Sequence, residues 1–232
     1  MGRLFTEQFS FAKGDSVVVV GLGRFGEAVA RSLMELGHDV MGIDYAAEPV
    51  QILCDRLTHA VQADATNVQV MRQLGVADFS HAVVGIGTDL AASLMTVMTL
   101  TELGIPDIWV KALTVEHGQI AQRIGAHHVV YPEADMGERV AHLITGRMID
   151  YIEFDDGYAI AKMHAPPSTH DKSLAEAGVR EHYGVTIVGV KRTNEDFEHA
   201  VPETVIRASD LLVVSGPTRK VERFAATSLR SK

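Results

Sequence analysis

The sequence predicts an α/β protein: a doubly wound parallel sheet, then a connecting helix and a small α+β domain. Three observations carry this. Short, nearly unbroken apolar runs alternate with helical patterns from residue 16 to 131. The first run, SVVVV, enters the turn Gly21-Leu22-Gly23-Arg24-Phe25-Gly26, which opens a helical pattern. After Tyr131 the alternation gives way to period-2 segments separated by turn residues.

The apolar runs are SVVVV, HDVMGID, HAVQAD, HAVVGIG, DIWVKAL and HHVVYP. Their β-branched content and lack of alternation suit strands covered on both faces. The intervals between them match βαβ crossovers, so ligands are expected at the carboxyl ends of the strands. The first helix, RFGEAVARSLMELG, is expected to set Ala28, Leu33 and Leu36 near one face and to stop at Gly37. Residues 82 to 100 imitate a membrane span, but Gly85, Gly87 and Asp89 interrupt the run. A spanning helix needs roughly 20 apolar residues, so this stretch reads as strand, loop and helix, and the chain as soluble with no membrane insertion of its own. Pro132 and Glu133 then start a helix with Met136, Val140, Leu143 and Ile144 on one stripe, completed by Met148. YIEF, the Asp-Gly turn before YAIAKMH, VTIVGVKR and DLLVVSG supply the strands of the second domain. No internal repeat or low-complexity segment is present.

Composition narrows the function. The chain has 232 residues, 47% hydrophobic and 22% charged, with a formal net charge of −9. An acidic chain is a poor nucleic-acid binder, because phosphate contacts need clustered Lys and Arg. The basic tail with Arg219, Lys220, Arg223, Arg230 and Lys232 reads as a solvated helix face. Cys54 is the single cysteine; it fits a reducing compartment, and the pattern VQILCDRL makes it a buried, inert thiol. The segment before Ser16 lacks the apolar core of a signal peptide; its Phe5, Phe9 and Phe11 offer packing or a partner contact.

GLGRFG is a full GxGxxG between a strand and a helix, a Rossmann-like fingerprint. Gly21 permits the tight turn, Gly23 lets backbone N–H groups approach a pyrophosphate, and Gly26 packs helix on strand. Asp44 ends the next strand about 20 residues on, where a carboxylate binds ribose hydroxyls and repels a 2′-phosphate. NAD, ADP and ATP all satisfy it. Arg24 and Phe25 lie in the turn itself. Asp64, Ala65 and Thr66 end the third strand where an adenine would lie, with Thr66 equally suited to an N-cap. Gly87 follows the fourth strand. Lys111 closes the fifth, a position that suits a lysine meeting an anion. Glu133 either caps its helix or contacts a cation such as Mg2+. No HExxH, GxSxG or zinc-spaced Cys/His pair occurs, and His127 and His128 should point to opposite faces of a strand. A hydride-transfer enzyme needs an acid or base beside its nicotinamide, and no catalytic residue is assigned.

Taken together and in order, VVVVGLGRFGEAVARSLMELGHDVMGID, HAVQADATN, HAVVGIGTDLAAS, DIWVKA, IGAHHVVYPEADMGERVA, YGVTIVGVKR and DLLVVSG resemble the RCK family, regulators of potassium conductance, in its KtrA/TrkA type. Tyr131 stands where the family motif has His. The resemblance implies a Rossmann-like RCK_N domain over residues 16–131, a dimerisation helix over 132–151 and an RCK_C domain over 152–232, after an extension of residues 1–15. It implies a cytosolic gating subunit, not an enzyme, forming homodimers that build an octameric ring under a membrane-embedded potassium transporter of the KtrB/TrkH type. ATP and ADP, or NAD(H) in some members, would favour different ring shapes. It assigns the phosphates to Gly21, Gly23, Gly26, Arg24 and Lys111, the ribose to Asp44, and a cation near the terminal phosphate to Glu133. Some relatives bind cyclic di-AMP at RCK_C, for which this chain shows no diagnostic contact. A regulator of another channel or antiporter, and an NAD-dependent oxidoreductase, share most of these features.

Overall fold

The computed structural model describes residues 16–144, 148–154 and 156–228. Phe5, Phe9, Phe11, Arg230 and Lys232 lie outside them. The chain divides between Pro132 and Glu133 into two compact units.

In the first unit, strands β1 (Ser16–Val20), β2 (Asp39–Asp44), β3 (His59–Gln62), β4 (His81–Val84), β5 (Asp107–Lys111) and β6 (His128–Val130) form one parallel sheet. Its order is β3-β2-β1-β4-β5-β6. The intervening helices are α1 (Arg24–Glu35), α2 (Ala47–Leu53), α3 (Val68–Gln73), α4 (Leu90–Glu102) and α5 (Val115–Arg123). Val17 to Val20 are all at most 2% exposed. Alternate residues of β1 enter two separate apolar clusters, Val17 and Val19 in one, Val18 and Val20 in the other. A strand apolar on both faces therefore marks a sheet with both faces covered.

The helix faces correct two expectations. On α1 the buried residues are Gly26 and Ala30, with Val29, Leu33 and Met34 partly buried. Ala28 and Leu36 face solvent, Leu36 at 66% exposure. The close approach of Gly26 to the glycine turn rotates α1, and that contact outweighs a methyl and an end-of-helix leucine. Gly37 does stop the helix, with φ +89° and its N–H donating to Met34. Cys54 follows α2 and is exposed, its thiol donating to the Gln51 carbonyl at 3.2 Å; Leu53 and Leu57 take the inward positions.

From Glu133 onward α6 (Pro132–Ile144) belongs to the second unit, and no residue on it is buried. Met136, Val140 and Ile144 are 52%, 42% and 80% exposed. Met148 does not complete that stripe: it joins the core of the unit instead. Then come β7 (Asp150–Phe154), β8 (Tyr158–His164), α7 (Leu174–Ala177), α8 (Val179–Tyr183), β9 (Thr186–Lys191), β10 (Phe197–His199), β11 (Leu211–Pro217) and α9 (Thr218–Ala225). The sheet is antiparallel, ordered β10-β9-β11-β8-β7. α9 buries Val221, Phe224 and Ala225, while Arg219, Lys220 and Arg223 remain exposed, as a solvated basic face requires.

Candidate functional site

The order β3-β2-β1-β4-β5-β6 reverses direction between β1 and β4, which opens a crevice at their carboxyl ends. The chain narrows its backbone there with glycine on both sides. Gly21, at φ +89°, donates its N–H to Ile43, and Gly85 donates to Val20. A Cβ on Gly26 would stand 1.8 Å from the Gly21 carbonyl oxygen, and one on Gly85 would stand 3.0 Å from it. These glycines are demanded by the protein's own packing.

Gly23 is not. Its φ is −67°, open to any residue, and a Cβ there would meet nothing within 4 Å. Gly23 precedes α1 with no side chain capping the helix. The first-turn N–H groups and the positive end of the helix dipole therefore face an open space fit for a phosphate group. The nucleotide implied by the fingerprint fits this cradle.

Asp44 closes the next side. Its Oδ2 accepts the Leu22 N–H at 2.7 Å and its Oδ1 accepts the Ala46 N–H at 2.8 Å. The carboxylate thus braces the glycine turn while each oxygen retains lone-pair capacity for a ribose hydroxyl. Asp64 Oδ1 accepts from the Thr66 N–H and hydroxyl at 3.0 and 2.6 Å, and Ala65 between them is buried. Thr66 is not the cap of α3. Asn67 is, with its side chain accepting from Gln69 and Val70. Lys111 Nζ lies 5.6 Å from the Phe25 ring centroid, a cation–π contact that ties β5 to the start of α1. A Cβ on Gly87 would stand 3.4 Å from the same Nζ, so this glycine keeps room beside the ammonium.

The structure thus gathers Gly21, Gly23, Phe25, Gly26, Asp44, Asp64, Ala65, Thr66, Gly87 and Lys111 around the carboxyl edge of one sheet. Arg24 is the first residue of α1 and exposed, lining a shallow depression along that helix with Glu27, Ala28 and Arg31. Glu133 is exposed in the first turn of α6, in the other unit. Sequence reasoning missed His117, which is 4% exposed behind this edge. Its Nδ1 accepts the Leu113 N–H, its Nε2 lies 3.2 Å from Ser93 Oγ, and burial holds its pKa below the usual imidazole value.

The TrkA-N domain matches residues 17–132 and the TrkA-C domain residues 160–228. The chain is 36% identical over 225 residues to the Ktr system potassium uptake protein A of Bacillus subtilis (strain 168), covering 97% of this chain and 98% of that one. The chain belongs to the Ktr/Trk family of RCK-type regulators. It is also 34% identical over 215 residues to the Ktr system potassium uptake protein C of the same organism, covering 92% and 97% of the two chains. Among solved structures, the GsuK RCK domain superposes with a TM-score of 0.64 at 18% identity. That comparison covers 100% of this Ktr/Trk-family chain and 51% of the other, and shows the shared fold. Among the described residues no helix of this family member is long and apolar enough to cross a membrane.

Proposed function

We propose that this family member is the nucleotide-sensing gating subunit of a Ktr/Trk-type potassium uptake system, a binding protein rather than an enzyme. One observation carries the nucleotide reading: Gly23 has neither a conformational nor a packing reason to be glycine, yet sits beside Asp44 and an uncapped helix start. The resemblance to the KtrA/TrkA type supports ATP or ADP as the ligand. In this reading the glycine turn holds the α- and β-phosphates, Asp44 the ribose, and Asp64, Ala65 and Thr66 border the base. Lys111, steadied by Phe25, and Arg24 meet the phosphate charge, and Gly87 keeps the approach open. A divalent cation such as Mg2+ belongs to the ATP-loaded state through Glu133.

A ligand shifts a conformational equilibrium only by its difference in affinity for the two states. The γ-phosphate is what ATP has and ADP lacks. Converting a concerted assembly almost fully takes a differential of about 10⁴, and across eight sites of an octameric ring that is only about threefold per site. Modest contacts suffice when homodimers build such a ring under a membrane-embedded transporter of the KtrB/TrkH type.

The test is a titration of the full chain with ATP, ADP, NADH and cyclic di-AMP, repeated with the membrane subunit bound. ATP and ADP are expected to bind one site per chain, with an affinity ratio that changes when the transporter is present. Equal ratios in both assembly states would remove the switch. Preferential binding of NADH would transfer the site to NAD(H) and to a regulator of a different kind, as in the channel solved as the GsuK channel bound to NAD.

A further inference from the structure

The second unit holds a side-chain cluster that the nucleotide reading does not use. Glu138 and His142 lie four residues apart on α6, one turn above the other. Glu153 of β7 meets them, and one ligand atom from each of the three lies within 4.8 Å of the others. Glu222 of α9 adds a carboxylate, its Oε1 3.7 Å from His142 Nδ1. The cluster joins an imidazole to carboxylates from two helices and a strand, all within one compact unit.

The surrounding groups orient it. Glu153 Oε2 accepts the Tyr151 hydroxyl at 2.6 Å and Oε1 accepts the Thr218 hydroxyl at 2.7 Å, so both oxygens are fixed in place. The His142 ring packs on Tyr151 with centroids 4.2 Å apart. Among the described residues no Lys or Arg forms an ion pair with Glu138, Glu153 or Glu222. Outer partners that orient both a carboxylate and an imidazole are a common feature of metal sites.

We propose that Glu138, His142 and Glu153, with Glu222 beside them, form a binding site for a divalent transition-metal ion of the Zn2+ class. The imidazole favours Zn2+ over Mg2+ and Ca2+, which prefer oxygen alone. Ligand atoms at about 2.1 Å from a tetrahedral ion stand about 3.4 Å apart. The present spacing closes to that by a rotamer change at Glu138, whose side chain is exposed and carries no fixed bond among the described residues. Such an ion would tie α6 to β7 and α9, fastening the first helix of the unit to its sheet.

Equilibrium dialysis of the nucleotide-free full chain against buffered Zn2+, in a Cys54→Ser background to remove the exposed thiol, tests the site. One equivalent per chain is expected, with affinity falling about tenfold or more in Glu138→Gln and in His142→Gln. Zn2+ should raise the melting temperature of the parent and not of Glu138→Gln, while the metal-free melting temperatures of the two agree. Glu138→Gln decides the matter if His142→Gln fails to fold, because its side chain is exposed. Unchanged Zn2+ affinity in Glu138→Gln, or displacement of Zn2+ by an equal concentration of Mg2+, would overturn the proposal. ATP affinity is expected to be the same in parent and variants, since the site does not depend on the nucleotide reading.

Discussion

At the scale of single residues, two glycines of one turn do different work. Gly26→Ala would drive a methyl onto the Gly21 carbonyl, and unfolding in urea should show a loss of about 3 kcal/mol. Gly23→Ala meets no atom and should cost about 1 kcal/mol or less, as a change at a helix cap, yet weaken ATP and ADP binding at least about tenfold by blocking phosphate approach. Nucleotide titration beside the melting curve separates the two, and a Gly23→Ala chain with full affinity would refute the cradle. Arg24→Ala should narrow the ATP/ADP affinity ratio without altering the fold, because the side chain is exposed. His117 predicts a pH effect. Burial holds its pKa below 6.5, so below that value the unfolded chain takes up a proton that the folded chain refuses. The stability it permits is complete at higher pH and declines as pH falls through about 6.5. In His117→Gln this part of the melting-temperature profile should flatten.

At the scale of elements, the sheet is pinned at the end away from the candidate site. His81 begins β4, Asp107 begins β5 and His128 begins β6. The Asp107 carboxylate, 5% exposed, pairs with His81 at 3.0 Å and His128 at 3.1 Å and accepts the Trp109 indole N–H at 2.9 Å. Removing it by Asp107→Ala deletes a buried carboxylate together with its contacts to His81, His128 and Trp109, and urea unfolding should register a loss of about 3 kcal/mol. The strand runs showed where β4, β5 and β6 lie, but not that their first residues meet. Each of those histidines reads alone as an ordinary strand-start residue. α6 poses the reverse case. Its stripe was legible at helical spacing, and spacing alone cannot separate core from interface. Met136, Val140 and Ile144 of that stripe are exposed among the described residues. If it is the homodimer surface, Val140→Asp with Ile144→Asp should reduce the sedimenting mass while stability stays within about 0.5 kcal/mol. Unchanged sedimentation would leave that assignment without support.

At the scale of the whole molecule, the expected outcome is linkage: whatever factor the transporter imposes on ATP affinity, ATP imposes on transporter affinity. Measuring both directions fixes the size of that shared factor, and a factor of one would mean that the nucleotide site and the transporter contact are uncoupled. The sequence by itself determined the parallel sheet, the place of the glycine turn, Asp44 at the end of the next strand and four of the five strands of the second unit, β10 excepted. These follow from local rules: unbroken β-branched runs need two covered faces, and a GxGxxG turn states its own backbone geometry. The face of α1, the exposure of Cys54, the burial of Met148 and the convergence of Glu138, His142 and Glu153 were decided only by the tertiary structure. Each depends on which distant surface packs against a residue, as when the Gly26–Gly21 contact turns α1 or the core of the second unit takes in Met148. Periodicity records how often a side chain returns to a face, whereas packing chooses which face is covered and which residues, far apart in the chain, meet there.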